Sequence, residues 1–134
     1  MFNSFQYEAM GKLVLRLSVA IFMLFHGVAK VLHPDSLVFI GNSLSNIGLL
    51  SALAYGVYVG EIIAPLMVLS GFRCRIGALI IVVNMIFAIV LVHSGDLFSI
   101  TKHGGWTLEL QGFYLFGALA ISLLGSGRYA IKPD

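Results

Sequence analysis

Four long apolar stretches dominate the chain, roughly Lys12 to Leu32, Leu49 to Ser70, Ile76 to His93 and Trp106 to Leu124. None alternates as a half-buried strand does. Each approaches the roughly 20 residues that an α-helix needs to cross a hydrocarbon core of about 30 Å. A membrane-barrel strand would alternate and stop after about 9 to 11 residues, so the pattern predicts helices. In the first connection, Leu37, Ile40, Leu44 and Ile47 recur at near-helical spacing. They predict a short amphipathic helix with Pro34 in its first turn and Asn42, Ser43 and Ser45 turned to water. The link from Gly71 to Arg75 leaves room only for a tight turn. The expected architecture is all-α: one polytopic membrane domain over residues 1–134, an antiparallel four-transmembrane-helix bundle.

Composition strengthens this reading. With 59% hydrophobic and 10% charged residues in 134, and a mean hydropathy of +0.98, a soluble globular core is excluded. The first stretch follows Lys12 and Arg16 as a secretory signal might, yet no small-x-small cleavage site follows Lys30, so it is expected to be retained. Lys and Arg set orientation. With a cytoplasmic amino terminus, that side holds Lys12, Arg16, Arg73, Arg75, Arg128 and Lys132, leaving Lys30 and Lys102 opposite. Both termini are therefore expected inside, with the amphipathic helix in the first outer connection. The expected partners are the lipid bilayer and a protein subunit or a second copy, not nucleic acid.

Small residues let membrane helices approach closely, and the second stretch carries a row of them, Ala52, Gly56, Gly60 and Ala64. Close helix contact along that row is the expectation. Further along, Pro65 lacks the amide that would bond the carbonyl of Glu61, so a kink is expected at a carboxyl group well inside its stretch. Irregular backbone at membrane depth is tolerated where it is buried in protein or lines a cavity.

The candidate chemistry lies in ionisable groups at depth, which usually face a partner or a wet cavity. His26 and Lys30 share one face of the first helix, about 21 and 27 Å from its inner end if Lys12 begins it. Glu61 lies near mid-membrane and either pairs with a base from the first helix or holds a proton. Glu109 and Gln111 enter the fourth helix near its outer end. His26, Lys30, Glu61 and Glu109 are thus the candidate catalytic residues. Tyr58, Tyr114 and Arg16 are candidate cofactor contacts, Arg16 being alternatively an inner-surface anchor. Asn84, alone in the apolar third helix, reads as an interhelical hydrogen bond. His93, Asp96 and His103 match no metal-site spacing, so no metal ligands are assigned. Haem ligation by His26 and His93 is a weaker alternative to quinone. The single cysteine, Cys74, rules out a paired-thiol mechanism within the chain and reads as a plain reduced loop cysteine.

Several short motifs carry a resemblance: Leu15-Arg16-Leu17, then His26-Gly27-Val28-Ala29-Lys30, Gly60-Glu61, and Gly71 shortly before Arg73. Gly104-Gly105-Trp106 opens the last helix and Gly125-Ser126-Gly127-Arg128-Tyr129 closes it. The chain resembles the DoxX family. That resemblance implies a four-helix protein of the bacterial inner (cytoplasmic) membrane, associated in some relatives with quinone reduction. An acidic residue is expected two positions after the Gly-Gly pair, whereas Glu109 follows Gly105 by four.

Three functional readings follow. The leading one is a quinone-associated redox subunit with a ring between helices one, two and four, His26 and Glu61 handling protons. No nucleotide fingerprint, haem-attachment motif or cysteine cluster occurs, so its electrons come from a partner. The alternatives are a non-catalytic scaffold or accessory subunit, in which buried charges only fix register, and a small proton-linked transporter built around Pro65.

Overall fold

Helix starts are set by caps more than by apolarity. The structure, a computed structural model, describes residue 1 and residues 3–134. The first helix, α1, runs Ser4–Leu32, about two turns earlier than the apolar stretch, because Asn3 and Gln6 form a reciprocal capping box that satisfies free amides at its start. α2 spans Asp35–Asn46 with Pro34 as its N-cap and buries Leu37, Gly41 and Leu44. Ile47, expected on its apolar face, falls just past its end and is exposed. α3 runs Ser51–Ser70, and α4 runs Cys74–Val92. α5 spans Glu109–Leu124. It starts later than the stretch beginning at Trp106, because Trp106 closes a loop instead, its indole N–H donating to the Leu97 carbonyl at 2.8 Å.

The chain is 74% helical, and no strand occurs among the described residues. Three helices, α1, α3 and α4, are long and apolar enough to cross a membrane, while α5, at 16 residues, is a shorter apolar helix. α1 packs on α3, α3 on α4, α4 on α5, and α5 returns to α1. The core between them includes Ala20, Met23, Val68, Ala78, Ile81 and Ala118. Cys74 belongs to this core: it is the first residue of α4 and fully buried, not a loop cysteine.

α3 is not one regular helix. It opens as a 3₁₀ segment (Ser51–Tyr55), passes a short α segment, widens into a π-turn at Val59–Ile63 and ends as α-helix from Ala64. The irregularity expected near Pro65 therefore takes the form of a π-turn, in which the Ala64 amide bonds the Val59 carbonyl. These changes of pitch break the phase of the small-residue row. A side chain on Gly60 would strike Asn84 at 2.5 Å, and Ala64 is fully buried, yet Gly56 has nothing within 4 Å and Ala52 is exposed. Half of the predicted row packs. The other half faces out, since 3₁₀ and π segments advance by different angles per residue.

The last four carbonyls of a helix have no partner within it. In α3 all four are met from elsewhere. Met67 accepts from the Gly71 and Phe72 amides, and Ser70 accepts from the Ile131 amide at 3.0 Å. Val68 and Leu69 accept from Arg16 Nε and Nη2, each at 3.0 Å. Arg16 is 1% exposed, and its Nη1 also donates to the carbonyls of Ser126 (2.9 Å) and Tyr129 (2.6 Å). One guanidinium from α1 thus closes α3 and holds the tail that follows α5. Gly71 adopts φ +77, and a side chain there would reach Arg16 Nη2 within 2.7 Å, so a glycine makes the turn over the guanidinium. Arg75 repeats the device on α5, its Nη1 donating to Ser122 and Leu123 carbonyls at 2.9 Å each, while its amide donates to Asp134 Oδ2.

Replacing Arg16 by methionine leaves four carbonyls without their donor, at roughly 1–3 kcal/mol for each one that stays buried. R16M is expected to lose at least about 3 kcal/mol in reversible detergent unfolding. R16K should recover only part of this, because an ammonium cannot span the fork. A loss below about 0.5 kcal/mol for R16M would show that the carbonyls find other donors.

Candidate functional site

The π-turn puts Glu61 at the most crowded point of the interior. Gly27 of α1 faces it without a side chain, and a Cβ there would collide with the Glu61 carbonyl oxygen and come within 2.7 Å of Ile62 Cγ1. One turn further along α1, Lys30 Nζ meets Glu61 Oε2 at 2.7 Å. The pair is largely buried, with side-chain exposures of 20% and 8%. Of the two states open to Glu61, pairing with a first-helix base is the one found. The other carboxylate oxygen, Oε1, accepts from Asn84 Nδ2 at 3.4 Å, so Asn84 makes its expected interhelical bond to the charged pair itself. Tyr58 donates its hydroxyl to the Lys30 carbonyl at 3.4 Å, tying α3 to the end of α1.

Behind the ion pair lies a chamber of about 160 Å³. That is enough to admit water. Its wall includes His26, Lys30, Glu61, His93, Gln111 and Tyr114. His26 stands edge-on to the Tyr114 ring, centroids 5.5 Å apart with the planes at 90°. His93 Nε2 lies 3.4 Å from Gln111 Nε2, and its Nδ1 lies 3.8 Å from Asp96 Oδ2.

Two larger cavities flank the chamber. One, about 480 Å³, lies beneath α2 and shares Lys30, Glu61 and His93 with it. The other, about 590 Å³, is a groove between α1 and α5 that shares His26 and Tyr114. The groove is apolar apart from those two residues and Ser18, with Phe22, Phe25 and Phe113 along it. The ion pair therefore forms one wall of the chamber and the His26–Tyr114 pair another.

The structure brings His26, Lys30, Glu61 and Tyr114 together, with Tyr58 against Lys30. It does not bring Arg16 or Glu109 to them. Arg16 lies four turns down α1 among main-chain carbonyls, and Glu109 is exposed beside Gly105. Of the other polar chamber residues, His93 has a role from the sequence only in the haem alternative with His26, and Gln111 has none. Both sit at helix ends, where solvation is the ordinary reading, and only the crossing of α4 and α5 turns them inward. Among the described residues no group of three or more His, Cys, Asp or Glu converges as a metal site.

A chain with three membrane-length apolar helices, closed on a buried Lys–Glu pair and a polar chamber, is a multi-pass membrane protein. A family model, DoxX, matches residues 11–94, which covers 84 of 134 residues and runs from within α1 through α4. The chain belongs to the DoxX family. No curated protein and no solved structure matches it.

Removing one member of a buried ion pair strands the other, at about 3–5 kcal/mol, whereas a well-packed apolar replacement of both is often neutral. K30M is expected to lose about 3 kcal/mol or more in detergent unfolding, and K30M/E61L to return within about 1 kcal/mol of the parent. Additive losses in the double variant would show that the two side chains are not coupled.

Proposed function

We propose that the chain is a quinone-associated subunit of a membrane oxidoreductase in the bacterial inner membrane. In this reading residues 1–134 form one antiparallel four-transmembrane-helix bundle with both termini cytoplasmic and α2 over the outer mouth. The orientation is supported by the gathering of Arg16, the Gly71–Arg73 turn and the tail at one end, where Lys and Arg concentrate.

The observation that carries the proposal is the position of His26 and Tyr114 between an apolar groove and a polar chamber that contains the Lys30–Glu61 pair. A quinone head group needs hydrogen-bond donors for its oxygens and apolar walls for its ring and tail. The groove fits both needs: its volume lies within the roughly 300–1,000 Å³ of small-molecule sites, Tyr114 and His26 offer donors, and Phe22, Phe25 and Phe113 offer walls. When bound, the quinone supplies a two-electron, two-proton carrier, with electrons from a partner subunit. Tyr114 orients the ring through its hydroxyl. His26, which lines both the groove and the chamber, passes protons between them by accepting at one ring nitrogen and releasing from the other. Lys30 Nζ holds one oxygen of the Glu61 carboxylate at 2.7 Å and Asn84 donates to the other, so the carboxylate is fixed at the chamber wall, where it can exchange a proton with His26 through the chamber. The ring site so described uses α1 and α5, with α3 contributing protons through Glu61 rather than contact.

One observation favours the scaffold reading. Among the described residues every buried side-chain nitrogen and oxygen has a partner, which is what a purely structural tie requires. The two readings separate in one preparation. Protein purified in mild detergent is expected to yield close to one quinone per chain on solvent extraction and mass analysis, and Y114F should retain less. E61Q should keep the quinone while slowing quinone-linked turnover by about 10²–10⁴-fold, the usual contribution of positioned proton transfer. No extractable quinone, together with unchanged turnover in E61Q, would leave the scaffold.

A further inference from the structure

At the end of the molecule closed by Arg16, the tail lies against the α3–α4 turn. Phe72 and Lys132 form a parallel bridge, the Ile131 amide donates to the Ser70 carbonyl, and a side chain on Gly71 would run into Ala130. Three cations are carried at this end of the molecule: Arg73 in the turn, and Arg128 and Lys132 in the tail. All three are exposed, and none makes an ion pair among the described residues. The nearby acid, Asp134, is already engaged by the amides of Arg75 and Ser126. Lys12, also at this end, is taken by Glu8 at 2.6 Å.

Apolar groups stand among these cations. Phe72, Tyr129 and Ile131 are exposed, Ile131 to 77%. The Arg73 guanidinium lies over the Phe72 ring at 5.9 Å from its centroid, and that of Arg128 over Tyr129 at 5.2 Å. A guanidinium stacked on a ring is partly dehydrated and keeps its fork of N–H donors free, the geometry that suits a phosphate. Depth follows from connectivity. Arg73 joins two helices that each have the length and hydropathy of a membrane span, so the turn lies where both leave the hydrocarbon, and the bridge to Phe72 holds Lys132 there. Cations at that level, flanked by aromatic and aliphatic side chains, meet lipid headgroups.

We propose that Arg73, Arg128 and Lys132 form a binding site for the headgroup phosphates of anionic phospholipids, on a platform held rigid by Arg16. The site favours anionic over zwitterionic lipid because three cations face it, and the nearby acid, Asp134, is turned to Arg75 and the Ser126 amide and not to them. It is independent of the quinone reading, since it uses neither the chamber nor the groove.

The test is lipid selection by the full chain. Protein in mixed micelles with equimolar phosphatidylglycerol and phosphatidylcholine is analysed by native mass spectrometry for retained lipid. Phosphatidylglycerol is expected to predominate on the parent chain. Each of R73Q, R128Q and K132Q should lower its ratio about fivefold, the weight of one basic residue at an anionic surface, and the triple variant should lower it at least tenfold. K102Q, at the other end of α4, should leave the ratio unchanged. Equal retention of both lipids by the parent, or a parental ratio in the triple variant, overturns the proposal. Should the triple variant unfold, the single variants decide by the same criterion.

Discussion

Charge taken from water into an apolar medium costs several kcal/mol per ion unless partners replace its hydration, and α1 carries two such charges on one face. Lys30 lies 14 residues beyond Arg16, close to four turns and about 21 Å along the helix. Both therefore point into the assembly, at two levels, and both find their partners on α3. Arg16 takes up the carbonyls where α3 ends, while Lys30 takes the carboxylate where α3 is widened. With both ties in place, α3 is fixed in height and rotation relative to α1, and Gly27 can come down onto the Glu61 backbone between them. The chamber, its two flanking cavities and the tail strapped across the far end depend on that registration.

How much of this is legible in the sequence follows from the range of each interaction. Apolar length, the amphipathic pattern of α2 and the place of Glu61 within its helix are local properties, and the helices stand close to where the residues place them. The α1 start lies outside the apolar stretch, where the Asn3–Gln6 cap and not apolarity sets it. The small-residue row packs only in part, because four-residue spacing marks one face only at constant pitch and this segment changes pitch twice. The role of Arg16 was not readable at all. Its acceptors are main-chain carbonyls 52 to 113 residues away, and a carbonyl leaves no mark on residue identity.

The candidate site divides in the same way. His26, Lys30 and Glu61 were recognisable because an ionisable group within an apolar run calls for a partner wherever it occurs. Tyr114 was one of several tyrosines, and its position against His26 sets it apart. His93 and Gln111 lie near helix ends, where polarity is unremarkable, so only the packing of α4 on α5 gives them an interior role. The DoxX match ends at residue 94, so the α5 half of the chamber, including Tyr114 and Gln111, lies outside the part of the chain that the family model describes. The Lys30–Glu61 half belongs to the matched region.

The π-turn in α3 has a consequence for how this helix came to be and how it can change. A π-turn is what an α-helix becomes when one residue is inserted without displacing either end. Each α-helical residue turns the chain by about 100°. Deleting one residue from Val59–Ile63 would return the segment to α-helix, and one half of α3 would have to swing by that angle to keep its covalent path. The lower half cannot swing, because Arg16 grips its last turn. The upper half would carry Tyr58 and the α2 connection away from Lys30. The extra residue thus acts as a coupling between two helix phases, and it marks α3 as a place where a change of length by one is a change of interior.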